Sequence, residues 1–335
     1  MKKNLFILMT TIVLILSLVG CQTTQKVIEK EPEPVQKQEL HIGTLKGPTG
    51  MGMAYLMDQN ETGASAIQYT FDIVGAPDQL IGKIVQGEVQ IAAVPTNLAA
   101  ILNTKTEGKI QLLAVNTLGV LYVVENGDTI QTIDDLKGAE MMSSGKGASP
   151  EFVFNYILNE NGMTAGDDVI VDYALEHGEL AATVAAGDTK IALLPEPFVT
   201  TVLSKNPDLR IALDLTDEWS KTTGGAVLPM GAIVVNKAFA ADNPEVIAQF
   251  MIEYSESVDF VNSNQTEAGN LISKFDIIPD PLLATKAIDG SSITLITAED
   301  AKDDIIKFFE ILKGFNPQSI GGQVPDESFF YKQNQ

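Results

Sequence analysis

Residues 90–102 read Gln90-Ile91-Ala92-Ala93-Val94-Pro95-Thr96-Asn97-Leu98-Ala99-Ala100-Ile101-Leu102. The unbroken apolar run Ile91 to Val94 has the length of a strand covered on both faces, and Pro95-Thr96 ends it and opens a helix from Thr96 to Leu102. A doubly covered strand that feeds a helix is the unit of an open parallel sheet. Leu112-Leu113-Ala114-Val115, inside a strand read over Ile110–Asn116, has the same character. Outward toward the N-terminus come a helix at Pro77–Gln86, a strand at Tyr69–Val74, a helix at Gly50–Gln59 and a strand at Leu40–Leu45. After Gly119 the alternation restarts. Strands are expected at Val120–Glu125, Ala139–Ser143, Val169–Tyr173, Ile191–Leu194, Leu209–Leu215 and Ala232–Asn236, with helices at Ser149–Asn161, Leu180–Ala186 and Phe198–Ser204. From Pro244 onward helices dominate, and Val246–Val261 and Ala298–Leu312 are amphipathic.

The expected fold class is therefore α/β, with two α/β units followed by a helical C-terminal region. Helices without a sheet of their own must pack on something already built, here the first unit. That makes the first lobe discontinuous, residues 39–118 plus 232–330, with residues 119–231 as the second lobe. The crossings fall near Asn116-Thr117-Leu118-Gly119 and Leu228-Pro229-Met230-Gly231. Two strands joining two lobes are suited to a closing cleft.

The N-terminus sets the expected compartment. Lys2 and Lys3 precede an apolar run from Leu5 to Val19, which fits a secretory signal better than a membrane span. The run ends in Leu18-Val19-Gly20-Cys21, which resembles the bacterial lipobox, so residues 1–21 are read as a lipoprotein signal with Cys21 as the lipidated residue. Residues 22–38, centred on Glu31-Pro32-Glu33-Pro34, are too poor in apolar surface to fold and read as a disordered tether. Cys21 is the only cysteine, which rules out a disulfide framework or a thiolate cluster within the monomer. The chain has 44 acidic against 22 basic residues, and Arg210 is its one arginine. A nucleic-acid partner is excluded because the basic stripe that neutralises phosphates is missing.

Several motifs then occur in order. They are Thr132-Ile133-Asp134-Asp135-Leu136-Lys137-Gly138, Gly145-Lys146-Gly147-Ala148-Ser149, Asn161-Gly162 with Asp167-Asp168-Val169, Ala182–Gly187 with Ile191–Pro197, and Asp242-Asn243-Pro244-Glu245-Val246. Together they resemble the type 2 periplasmic-binding-protein family, in the branch that serves nitrate, sulfonate, taurine and thiamine-precursor transporters. The resemblance implies a two-lobed clamshell. It implies a solute-binding lipoprotein of an ABC importer, outside the cytoplasm and anchored to the bacterial membrane, with a permease and its ATPase as partners. Many relatives carry an Asp before the strand-end aromatic and proline, whereas this chain reads Thr189-Lys190-Ile191-Ala192-Leu193-Leu194-Pro195-Glu196-Pro197, which bears on the ligand class.

In open parallel sheets ligands bind beyond the carboxyl ends of the strands, where helices begin. Four turns fit that position: Lys46–Met51, Pro95-Thr96-Asn97, Ser143–Ser149 and Pro195-Glu196-Pro197. Free N–H groups at helix starts favour an anionic or acceptor-rich ligand. The candidate ligand-binding residues are Lys46, Thr49, Gly50, Met51, Thr96, Asn97, Thr117, Ser144, Gly145, Lys146, Ser149 and Glu196. Lys46 and Lys146 could pair with an anionic group. Glu196, held between two prolines, could accept hydrogen bonds from an amine or amino-heterocycle and tilts the ligand toward a nitrogen-bearing organic molecule. Met51 is expected to face the cleft, and Trp219 is read on a surface helix.

Catalytic signatures fail. Gly145-Lys146 lacks the hydroxyl residue and leading glycine of a phosphate loop. His41 and His177 lack metal-ligand partners at helical spacing and read as structural or exposed, and no nucleophile elbow occurs. No enzyme activity, cofactor or metal is expected, and the chain is expected to be a monomer that binds a small molecule. A sensing or adhesive surface lipoprotein, or an enzyme on the same fold, are the other readings.

Overall fold

The computed structural model describes residues 37–332. The signal segment, Cys21 and the tether residues up to Gln36 lie outside the described residues. Lys37 and Gln38 are tied to the fold: Lys37 Nζ donates to the Gly63 carbonyl at 2.8 Å and the Gln38 carbonyl accepts from Gln68 N–H at 2.9 Å.

Two sheets organise the chain. Strands β1 (Glu39–Leu45), β2 (Gln68–Val74), β3 (Ile91–Pro95) and β4 (Ile110–Leu118) start the first. The chain then builds the second from β5 (Leu121–Asn126), β6 (Glu140–Ser143), β7 (Ile170–Asp172), β8 (Ile191–Pro195) and β9 (Leu209–Asp214). It returns to the first with β10 (Pro229–Asn236) and β11 (Ile293–Thr297). The orders are β11-β4-β10-β3-β1-β2 and β7-β6-β8-β5-β9. The two sheets share one plan. Three parallel strands (β2-β1-β3, β7-β6-β8) meet an antiparallel strand that has just crossed over, β10 or β5, and beyond it lies β4 or β9, with β11 added at the edge of the first sheet. This is the two-lobed α/β architecture expected from the sequence.

Three hydrophobic clusters hold the lobes. Leu40, Ile42, Met53 and Leu56 pack with Phe250, Tyr254, Val258 and Ile288, so helices Pro244–Ser263, Gln265–Lys274 and Pro281–Gly290 cover one face of the first sheet. Tyr122, Leu180, Leu194 and Val199 form a cluster within the second lobe. The largest cluster runs through both lobes and contains Val94, Val115, Val123 and Phe154 together with Phe308 and Phe309 of the last long helix, Lys302–Phe315.

Four features differ from the sequence reading. β11 supplies a strand where only helices were expected, and Ile293 and Ile296 register with Thr117 and Val115 of β4 at the sheet edge. The sheets are mixed rather than all parallel, because each crossing strand enters antiparallel. The helix expected over Gly50–Gln59 is two pieces, Pro48–Met51 and Ala54–Glu61. At the break, a Cβ on Gly52 would sit 2.9 Å from both Ile293 Cγ2 and the Tyr254 hydroxyl, so the backbone passes where no side chain fits. Trp219 is fully buried rather than superficial. On the helix Leu215–Thr223 it packs against Tyr156 at 5.2 Å and Phe308 at 5.9 Å between ring centres, and its Nε1 donates to the Val227 carbonyl at 3.1 Å.

Candidate functional site

A cavity of about 870 Å³ lies where the strand ends of both lobes feed their helices. That is a small-molecule size; such sites commonly enclose roughly 300–1,000 Å³. β1 runs into Lys46–Thr49, β3 into Pro95–Leu98, the turn after β6 into Ala148–Pro150, and β8 into Pro195–Phe198, and all four segments line it. All four expected turns therefore contribute to one cavity.

The individual residues divide. Lys46, Thr49, Asn97, Thr117, Ser149 and Glu196 line the cavity. Lys46 Nζ is 2.5 Å from Asp276 Oδ2, so its charge already has a partner. Asn97 Nδ2 donates to the Ser319 carbonyl at 3.1 Å, and the Thr49 carbonyl accepts from Asn116 Nδ2 at 2.9 Å. Thr117 is buried, with its hydroxyl 3.4 Å from Asn116 Oδ1.

Gly50, Met51, Thr96, Ser144, Gly145 and Lys146 are not in the wall. Met51 belongs to the core beside Ser291, whose hydroxyl lies 3.6 Å from its sulfur. It turns inward because the short Pro48–Met51 helix presses onto the first sheet. A Cβ on Gly50 would fall 2.1 Å from the Leu45 carbonyl oxygen, so close backbone approach explains this glycine. Thr96 is buried beneath the start of its helix. Gly145 and Gly147 have positive φ, and the turn they shape leaves Lys146 exposed, its ammonium 5.8 Å from the Tyr173 ring centre.

Ser144 and Gly145 act from behind the wall, through His177, which the sequence reading took as structural or exposed. His177, first in the helix His177–Ala186, lines the cavity. Its Nδ1 is 2.5 Å from Ser144 Oγ, and its ring stacks on Phe198 at 5.6 Å between centres. A Cβ on Gly145 would lie 3.5 Å from His177 Cε1, so the glycine backs the imidazole. Burial lowers the His177 pKa below its ordinary value, against an opposing pull from Glu176, and keeps the ring neutral near pH 7. Met230, Ile81 and Ile277–Pro279 also contribute walls that no local motif announced.

Glu196 is nearly buried, and both of its carboxylate oxygens are engaged. Oε2 accepts from Thr200 N–H at 3.1 Å and Oε1 from the Thr200 hydroxyl at 2.9 Å, which caps the helix Phe198–Lys205. Burial raises its pKa, and the Thr200 hydrogen bonds pull the other way. The same carboxylate abuts the first lobe. A Cβ on Gly290 would lie 2.4 Å from Oε1, and the Tyr122 hydroxyl donates to the Gly290 carbonyl at 2.9 Å. Tyr122, Glu196 and Gly290 thus form a polar seam between the lobes at the cavity.

The comparisons with known proteins agree with this geometry. The family model described as ABC transporter, phosphonate, periplasmic substrate-binding protein matches residues 53–275. The chain belongs to this family. As a member, it is the extracytoplasmic substrate-binding component of an ABC transporter; its function is to bind a small molecule, and its partners are a membrane permease and ATPase. The crystal structure of an ABC transporter protein from Parabacteroides distasonis superposes with a TM-score of 0.75 at 25% identity, covering 89% of this chain and 100% of that one. The periplasmic aliphatic sulphonate binding protein SsuA from Escherichia coli has a TM-score of 0.68 at 16% identity, covering 90% and 94%. The periplasmic nitrate-binding protein NrtA from Synechocystis has a TM-score of 0.57 at 13% identity, covering 84% and 82%. The last two establish likeness of fold alone. Among curated proteins no sequence matches the chain.

Proposed function

We propose that this substrate-binding protein captures a small organic molecule in the cavity between its sheets and presents the closed form to the permease. The carrying observation is the cavity itself, walled by the helix-start turns of both lobes. Motion is assigned to the crossings near Asn116–Gly119 and Leu228–Gly231, with residues 39–118 and 232–330 moving against 119–231. Closure is driven only by affinity that differs between the open and closed states. Thr49, Asn97, Thr117, Ser149, His177 and Glu196 supply the polar wall, and the role is binding without catalysis. Cys21 carries the lipid that keeps the protein at the membrane. Its sequence context, Lys2-Lys3, the apolar run Leu5–Val19 and Gly20, supports that reading.

Ala148 lies on the wall at a helix start, so Ala148→Trp fills the cavity while sparing both sheets. The variant should fold and retain no compound from a metabolite extract that the wild type retains. Undiminished retention would move the site elsewhere. Labelled palmitate should appear on the wild type and be lost in Cys21→Ser; equal labelling would remove the anchor.

A further inference from the structure

The link from β4 to β5 is two residues long, and both are left-handed: Gly119 has φ 62° and Val120 has φ 73°. Glycine adopts this backbone freely. It is also required at 119, because a Cβ there would fall 2.1 Å from Thr216 Oγ1 of the second lobe. Valine is the opposite case. In the left-handed form its Cβ crowds the following carbonyl, and branching at Cβ makes the strain worse. Three other non-glycine residues among the described ones have positive φ: Glu107, Asp276 and Ser292. Each lies directly after the C-cap of a helix, Thr96–Lys105, Gln265–Lys274 or Pro281–Gly290, where a left-handed residue closes the last turn. Val120 follows no helix. Nothing local asks for its conformation, so what imposes it is tertiary.

The link is pinned on both sides. Before it, Leu118 N–H donates to the Ser292 carbonyl of the first lobe at 3.1 Å. After it, the Val120 carbonyl accepts from Glu196 N–H of the second lobe at 2.9 Å. Between them, Gly119 N–H donates to the Leu228 carbonyl of the other crossing at 2.9 Å. The angle between the lobes is therefore expressed in the dihedrals of Gly119 and Val120, as at a hinge, where a few residues absorb the change. The two pins also belong to the polar seam. Glu196 is part of it, and Ser292 follows two residues after Gly290, which Glu196 abuts. A strained residue persists only where its surroundings over-determine it. Val120 is buried and lines the cavity, so a solute held there lies against the strained residue itself.

Given the cavity as the solute site, we infer that Val120 is a loaded hinge, a positioning residue whose left-handed backbone biases the solute-free protein toward the open form. With the seam of Tyr122, Glu196 and Gly290 made, the link holds Val120 left-handed. Opening the cleft returns it toward the ordinary extended region. Contacts made by the solute, some of them with Val120, offset the strain on closure.

The test uses the full chain in a Cys21→Ser background, with spin labels at Leu282→Cys and Lys205→Cys on the two helices that meet beside the seam. The distance distribution is measured before and after addition of a metabolite extract, for the parent and for Val120→Gly, Val120→Asn and Val120→Ala. Glycine removes the strain, asparagine tolerates the left-handed form, and alanine trims the wall while keeping a Cβ. Without extract the parent should be long. Val120→Gly should raise its short-to-long ratio about tenfold, the equivalent of one left-handed non-glycine residue. Val120→Asn should move it in the same direction, and Val120→Ala by clearly less than glycine. Glycine and asparagine variants as long as the parent, or a parent already short before extract is added, overturn the inference. If that parent still shortens with extract, solute-driven closure stands without the loaded hinge. An equal shift in the alanine variant assigns the effect to side-chain bulk and overturns it too. A parent that ignores the extract while Val120→Gly is short supports the hinge and counts against solute-driven closure.

Discussion

The lobes touch in two chemically different ways. One contact is an apolar brace: Phe308 of the last long helix meets Trp219, and Phe315 stacks on Phe152 at 6.4 Å, both partners belonging to the second lobe. Lys307 adds a hydrogen bond to the Thr223 carbonyl. The other contact is the polar seam of Tyr122, Glu196 and Gly290. Separating the brace would expose large aromatic side chains, each worth about 1.5–3 kcal/mol when fully buried. Separating the seam exchanges a protein hydrogen bond for one to water, a net of about 0.5–1.5 kcal/mol. A solute's binding energy can switch the second kind of contact and not the first. On the proposed closure, the brace keeps the lobes together through the motion, while the seam reports whether the cleft is shut.

The sharpest way to break this contrast is Trp219→Ala. It should cost about 3–5 kcal/mol of global stability in urea unfolding, as large aromatic truncations do. A loss near zero would mean that the brace carries nothing. Gly290→Ala should leave global stability nearly unchanged and weaken retention of the bound compound by about tenfold, or roughly 1.4 kcal/mol, because the new methyl displaces Glu196 from its Thr200 hydrogen bonds. Adding Glu196→Ala to Gly290→Ala should restore part of the loss. Simple additivity of the two changes would show that the residues do not meet in the closed form. Tyr122→Phe removes one seam hydrogen bond and should weaken closure by about 1 kcal/mol with no change in unfolding midpoint.

The smallest effect expected is on pH. His177 has a folded pKa below its unfolded value near 6.5. The unfolded chain therefore binds the proton first, and this residue's contribution to stability is full above about pH 6.5 and is lost as the pH falls through the window beneath it. His177→Asn should flatten that part of the stability–pH curve. Glu196 has the opposite sign, since its raised folded pKa costs stability as pH rises above the ordinary carboxylate range. Glu196→Gln should remove that slope alone.

Most of the fold was legible because both lobes obey local rules. Ile91–Val94 and Ile191–Leu194 are apolar on both faces, and each is followed by a proline-bounded helix start. The places that misled depend on distant partners. Ile293–Thr297 becomes a strand because β4 offers it an open edge, and that edge, where Ile293 pairs with Thr117, lies far away in the chain. Trp219 sits in a polar local window, and Phe308, which buries it, lies on another helix. At the site, the turns around Lys46, Asn97, Ser149 and Glu196 could be read because strand-to-helix turns carry glycine, proline and hydroxyl signals. His177 could not, since a lone histidine gains its meaning only when Ser144 and Phe198 are brought to it. Ile277–Pro279 and Met230 join the wall through the return of the chain to the first lobe, which no motif encodes.

The most direct measurement is the distance between the lobes across the seam. In a Cys21→Ser background, spin labels at Leu282→Cys and Lys205→Cys report on exposed positions of the facing helices Pro281–Gly290 and Phe198–Lys205. Adding the compound retained by the wild type should shorten and narrow the distance distribution, and Gly290→Ala should keep it long under the same conditions. A distribution that ignores the bound compound would contradict closure through the seam.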